Sequence, residues 1–186
     1  MENTKEKKNE IIIGLAKPED AVGIQQVFYI TWLDTYPNEE LGITVDDIKD
    51  HYKDSLSEEK LKKRIEAIIN PPEGQTMFVA KEGDKVVGVC RVEKGLEKNK
   101  LRTIYVSPEF QGKGVGSMLW NQAKTVFDMN KDVVVDVVTY NTKAIEFYKK
   151  LGFEDTGKRF TDERFTMKSG ATMPEMEMVI KANKVN

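Results

Sequence analysis

The chain has 186 residues, 29 Lys+Arg against 31 Asp+Glu and one His, for a formal net charge of −2. That length suits one domain with a core of its own, and the near-neutral balance excludes a surface basic enough to neutralise nucleic-acid phosphates. A single cysteine, Cys90, excludes a disulfide framework and a cysteine-rich zinc site, and a single histidine, His51, excludes histidine-pair metal motifs.

The first ten residues, MENTKEKKNE, mix both charge signs and read as a disordered tail, which leaves 11–186 as one domain. No apolar run approaches the roughly 20 residues that span a bilayer, and no signal-peptide core follows the tail. The expectation is a cytoplasmic protein without membrane or nucleic-acid partners.

Residues 11–16 (IIIGLA) predict a first strand. Pro18 with Glu19 and Asp20 suits a helix first turn, and Ala21, Ile24, Val27, Phe28 and Thr31 recur at helical spacing to about Leu33. The polar stretch from Trp32 to Asp50, broken by Pro37 and Gly42, reads as a loop leading into a second helical region. Ser57 before Glu58 and Glu59 starts a helix. Leu61, Ile65, Ile68 and Ile69 give that helix its apolar face, and Asn70-Pro71-Pro72 ends it.

Two strands, Thr76 to Lys81 and Lys85 to Val92, flank the hairpin signal Gly83-Asp84. Another strand is expected from Leu101 to Val106, closed by Pro108. A glycine-rich segment, Gln111 to Gly116, precedes a helix with Val115, Met118, Leu119, Gln122, Ala123 and Val126 on one face. Val133 to Val138 is nearly all apolar, as in a strand covered on both sides. Asn141 to Leu151 predicts a short helix ended by Gly152. Phe153 to Phe160 and Glu175 to Lys181 predict two closing strands. The order describes an α/β domain around one mixed sheet.

The segment Gln111-Gly112-Lys113-Gly114-Val115-Gly116-Ser117 joins a strand to a helix. Three alternating glycines let the backbone turn tightly, and the first-turn N–H groups of the helix then converge on one anion. It is not a Walker A loop. A dinucleotide fingerprint would need glycine where Ser117 stands, which counts against a nicotinamide-dependent dehydrogenase. An ordinary helix-capping turn is the plain alternative.

The surroundings weigh on that choice. The form is Gln-x-x-Gly-x-Gly after Val106-Ser107-Pro108, followed by Asn141-Thr142-Lys143-Ala144-Ile145-Glu146-Phe147-Tyr148 and by Leu151-Gly152-Phe153. This combination resembles the GNAT family of N-acetyltransferases. The resemblance is close from about Leu101 to Phe153 and follows the element order across nearly the whole chain. It implies a three-layer sandwich around a central mixed, mostly antiparallel sheet. It also implies acetyl-CoA as cosubstrate, with no metal.

By that resemblance, the N–H groups of Gly112, Lys113, Gly114, Val115, Gly116 and Ser117 cradle the pyrophosphate, with Gln111 opening the motif. The backbone of Ile104, Tyr105 and Val106 pairs with the pantetheine arm. Asn141 bonds that arm, although it suits a helix cap equally well. Tyr148 faces the thioester sulfur as general acid. A phenol of pKa about 10 can protonate a departing thiolate whose thiol has pKa about 8.5. No covalent enzyme intermediate is needed, and Cys90 reads as a buried, inert thiol.

Where many family members carry a carboxylate at the start of the strand before the loop, this chain has Lys100, Leu101, Arg102 and Thr103. The base is therefore unassigned, with Glu93 and Asp136 as candidates. Trp32 and Tyr36, beside Asp34, Glu39 and Glu40, suit a cationic amine; a solvated acidic loop with one packed Trp accounts for them as well. His51 is expected at the surface nearby. Thr31-Trp32, Thr35-Tyr36 and the stretch from Asp162 to Met178 resemble bacterial polyamine acetyltransferases. The reading is an acetyl-CoA-dependent N-acetyltransferase acting on a small amine such as spermidine or spermine. The alternatives are a non-catalytic acyl-CoA sensor and a protein or peptide N-acetyltransferase; a homodimer is compatible with each.

Overall fold

Seven strands form one sheet in the order β1-β2-β3-β4-β5-β7-β6. The computed structural model describes residues 10–182, so the first nine residues of the expected tail lie outside the described residues. The elements are β1 (Ile11–Leu15), α1 (Ala21–Thr35), α2 (Val45–Tyr52), α3 (Glu58–Ile69), β2 (Gln75–Glu82), β3 (Lys85–Lys94), β4 (Asn99–Val106), α4 (Val115–Lys124), β5 (Val133–Val138), α5 (Thr142–Lys150), β6 (Glu154–Thr161) and β7 (Pro174–Ile180). All neighbours pair antiparallel except β4 and β5.

Helices cover both faces, giving the three layers expected. On one face α4 and α5 bury Leu119, Trp120, Ala123 and Tyr148 against Cys90, Val92, Leu101, Val135 and Met178. On the other, Ile24, Val27 and Phe28 of α1 pack on Val79, Val86 and Val89. Burying a side chain such as Leu119, which is wholly enclosed, contributes roughly 2–3 kcal/mol.

Local departures from the sequence reading have physical causes. The stretch read as loop from Trp32 to Asp50 contains the last turn of α1 and most of α2. Thr44 accepts from the Asp47 N–H while Asp47 accepts from the Thr44 N–H, a capping box that starts α2 despite Gly42. On α4, Met118 is exposed and Trp120 takes the core position instead. β4 begins two residues earlier than predicted because the buried Asn99 side chain bonds Asp128 and Lys131 at the turn before β5.

Candidate active site

The parallel pair β4–β5 is where the site begins. Its register runs only from Asn99↔Val133 to Leu101↔Val135. Beyond Leu101 the strands part, and the β5-facing backbone edge of Thr103 to Val106 is left without a strand partner. A cavity of about 1350 Å³ opens along this split and reaches from the glycine loop on one face to α1 on the other. Ile104, Tyr105 and Val106 all line it. The side chains of Ile104 and Val106 pack into the core beside α4, which leaves the backbone as what this edge offers the cavity.

The loop at the mouth is built for an anion. Gly112 and Gly114 have φ of 72° and 85°, a region that costs other residues about 1–2 kcal/mol. A Cβ on Gly116 would stand 3.2 Å from the Phe147 ring, so this glycine lets α5 approach α4. The N–H groups of Gly112, Lys113, Gly114, Val115, Gly116 and Ser117 find no acceptor among the described residues. They gather at the positive end of the α4 dipole. Gln111 differs from the rest: its Nε2 donates to the Val106 carbonyl at 3.0 Å, clasping the loop to the end of β4.

Asn141 caps α5 and borders the cavity. Its Oδ1 accepts from the Ala144 N–H at 3.1 Å and caps α5, while its side chain lines the cavity. Cap and helix together carry Tyr148 into the split. The Tyr148 ring is buried against Phe147 and Phe153. Its hydroxyl makes no hydrogen bond among the described residues, and the residue lines the cavity. Burial, reinforced by Tyr105 and Cys90, pushes this phenol well above its ordinary pKa, so it holds its proton throughout the neutral range. Cys90 is fully buried, and burial likewise raises its thiol.

Trp32 and Tyr36 also line the cavity, on the α1 side. Both are buried rather than looped out. Trp32 Nε1 donates to the Tyr105 hydroxyl at 3.2 Å, and the Tyr36 and Tyr105 hydroxyls stand 3.1 Å apart. This triad ties α1 to β4. His51 lies at the surface of α2 with its ring stacked on Trp32 at 4.9 Å between centroids, and burial lowers its pKa.

The two carboxylates named as base candidates are both engaged. Glu93 is bonded to Arg102 and to Gln75, and Asp136 is paired with Lys100. Asp162, a third near the cavity, is held by Arg164, which keeps it below the usual carboxylate range. Sequence reasoning missed Glu175. It sits at the start of β7, opposite Val138, is 9% exposed and lines the cavity. No group among the described residues hydrogen-bonds its carboxylate. Burial, with help from Asp136 and Asp162, raises its pKa to about 7. The one hint in the sequence is a Glu alternating with Met in Glu175-Met176-Glu177-Met178. That pattern faces Glu175 away from the methionine core, but only the split sheet gives that face a cavity.

Among the described residues no group of three His, Cys, Asp or Glu side chains could hold a metal ion, and no helix is long and apolar enough to cross a membrane.

Comparison with known proteins places this geometry. Residues 32–174 match the model of the acetyltransferase (GNAT) domain. A peptidyl-lysine N-acetyltransferase, YjaB of Salmonella typhimurium, is 29% identical over 92 residues, covering 50% of this chain and 59% of that protein. An uncharacterized N-acetyltransferase of Methanocaldococcus jannaschii, MJ1207, is 36% identical over 87 residues, covering 42% of this chain and 38% of the other. The matches thus span less than two thirds of these relatives. The fold is similar to that of the PaiA N-acetyltransferase from Thermoplasma acidophilum, solved with coenzyme A, at a TM-score of 0.67 and 21% identity over 92% of this chain and 99% of that one. It is also similar to the ribosomal-protein-S18-alanine N-acetyltransferase from Escherichia coli, at a TM-score of 0.62 and 16% identity over 93% and 94%. With the family model covering most of its length, the chain belongs to the GNAT acetyltransferase family.

Proposed function

We propose that the protein transfers an acetyl group from acetyl-CoA to a primary amine bound on the α1 side of the split sheet. The observation that carries this reading is one continuous cavity. It joins an unsatisfied N–H cradle, an unpaired strand edge, a buried protonated phenol and a poised carboxylate. The cradle fits a pyrophosphate, and the free edge of β4 fits the amide groups of a pantetheine arm.

Acetyl-CoA supplies the acetyl thioester. A primary amine of pKa about 10.4 arrives largely protonated, and Glu175, whose pKa burial raises to about 7, takes its proton. As the amine nitrogen bonds the carbonyl carbon and the carbon–sulfur bond breaks, Tyr148 gives its proton to the departing sulfur, and the second proton shed by the nitrogen returns to the Tyr148 oxygen, leaving an amide, a free thiol and protonated Glu175. Trp32, Tyr36 and Tyr105 fix the wall of the cavity and keep bulk water from the reacting atoms. The ion pairs Lys100–Asp136 and Arg102–Glu93 hold the remaining nearby charges in place.

A polyamine fits the aromatic wall but must also pass the cationic groups Arg64, Arg91, Lys100 and Arg102 that line the same cavity. Protein lysine is the second reading, favoured by the peptidyl-lysine acetyltransferase among the relatives. Mass spectrometry of metabolite and protein extracts incubated with isotope-labelled acetyl-CoA tests both. A labelled small amine supports the first reading and a labelled protein the second. Cofactor that binds yet labels nothing would turn the reading toward a non-catalytic acyl-CoA sensor.

A further inference from the structure

Two arginines in the cavity form no ion pair among the described residues. Arg64, on α3, is partly buried with its guanidinium 5.3 Å above the Phe28 ring. One of its nitrogens donates to the Gln25 Oε1 at 2.8 Å, and its Nε is buried with no partner among the described residues. Gln25 is itself fixed by the Ser55 carbonyl. Arg91, on β3, stands opposite Thr103 of β4 and two residues beyond Val89, which packs beneath α1. It has no hydrogen bond or ion pair among the described residues. The charges of Arg64 and Arg91 oppose one another, and burial disfavours both. Glu93, the carboxylate whose charge reaches Arg91, is already taken by Arg102 and Gln75.

Two half-buried like charges without a counterion oppose folding unless a ligand repays them. Guanidinium groups suit planar, bidentate anions. The cavity is also bipolar, since Glu175 and Tyr148 line it as well and can serve the reacting nitrogen.

We propose that Arg64 and Arg91 form a carboxylate-binding subsite on the α1–α3 side of the cavity, and that the acceptor is an amine that also carries a carboxylate, in the manner of an amino acid. The inference rests on the N-acetyltransfer reading for the reaction and narrows its acceptor. Gln25 orients Arg64, Phe28 supports the guanidinium face, and the carboxylate spans the two arginines. The amine then extends toward Glu175. A bare polycation would place positive charge against the same arginines, so diamines and polyamines are the poor acceptors.

The test pairs acceptors that differ by one carboxylate: lysine with 1,5-diaminopentane, and phenylalanine with 2-phenylethylamine. Release of free thiol from acetyl-CoA is followed for each. The carboxylate-bearing member should have the higher kcat/KM by about tenfold or more. Arg91→Gln and Arg64→Gln should each bring that ratio toward unity, and Arg91→Lys should hold an intermediate value. Circular dichroism establishes that each variant folds; should Arg91→Gln not fold, Arg91→Lys and Arg64→Gln carry the test. Equal rates within a pair, a preference for the diamine, or a ratio untouched by the variants overturns the subsite while leaving acetyl transfer standing. If no amine is acetylated, calorimetric titration with glutarate decides separately. Glutarate binding that Arg91→Gln or Arg64→Gln weakens supports the subsite and places the failure on the proposed reaction. No binding, or binding unaffected by both variants, overturns it.

Discussion

Glu175 stands directly across the β5–β7 ladder from Val138, and from Val138 the chain turns through Tyr140 and Asn141 straight into the helix that carries Tyr148. The Asn141 N–H donates to the Val138 carbonyl, and the Tyr140 hydroxyl donates to the Tyr36 carbonyl at 2.9 Å. One short turn thus sets the carboxylate, the phenol and the wall of α1 relative to one another. A carboxylate on β7 can then supply the base that the start of β4 lacks.

Burial and two neighbouring carboxylates disfavour the Glu175 charge and raise its pKa from 4.5 to about 7. A base works ionised, so kcat/KM should climb with pH up to about 7 and then level. Glu175→Gln should erase that acid limb and lower the plateau roughly 10²–10⁴-fold. His51→Asn should leave the limb in place. The sign for stability is opposite. A carboxyl raised in the folded state contributes stability fully below about 4.5, and that contribution is lost as pH rises through about 7. Glu175→Gln should therefore gain in Tm over the wild type at pH 8 relative to pH 4, measured by calorimetry.

The Tyr148 hydroxyl bonds no described residue, while its ring packs with Phe147 and Phe153. Tyr148→Phe keeps the packing and removes only the proton donor. We expect stability to change by about 1 kcal/mol or less and kcat to fall roughly 10²–10⁴-fold, with KM for the amine nearly unchanged. Undiminished turnover in this variant would remove Tyr148 from the reaction.

Much of this was legible along the chain because the signals are local. The glycines at 112 and 114, the Asn141 cap and the Gly152 stop each act within a turn of their own position. So do the apolar β5 and the paired prolines after α3. What escaped depends on contacts between distant segments. Glu175 matters because β4 and β5 part beyond Leu101, a consequence of the register across three strands. Nothing local to Glu93 or Asp136 marks the cross-strand partners, Arg102 and Lys100, that hold them. The α2 helix was hidden because Gly42 and the polar run outweighed the capping box of Thr44 and Asp47, and because Ile48, its fully buried anchor, gains its value only against Trp32 and Tyr36.

Asn141 separates cap from ligand contact. Its Oδ1 already serves the Ala144 N–H, which leaves the amide hydrogens for the cavity. Asn141→Asp keeps the capping oxygen and removes the donor. Asn141→Ala removes both, at about 1 kcal/mol for the cap. Thermal melts should therefore distinguish Ala from Asp, whereas the Kd for CoA by calorimetry should rise in both. A CoA affinity that survives Asn141→Asp would reduce the residue to a cap.

The glycine loop separates backbone conformation from space. A Cβ at Gly114 meets nothing within 4 Å, so Gly114→Ala costs only the left-handed φ, about 1–2 kcal/mol, and should leave a folded protein. Gly114→Trp adds a bulky ring beside the same open N–H groups, and we expect the Kd for CoA to rise about tenfold or more beyond the Ala variant. That ratio isolates occlusion from strain, since both variants share the backbone cost. Gly116→Val fails differently: its side chain meets the Phe147 ring and pushes α5 from α4. Turnover should then fall along with CoA affinity because Tyr148 moves with its helix. If Gly114→Trp binds CoA as tightly as Gly114→Ala, the pyrophosphate does not sit on this loop.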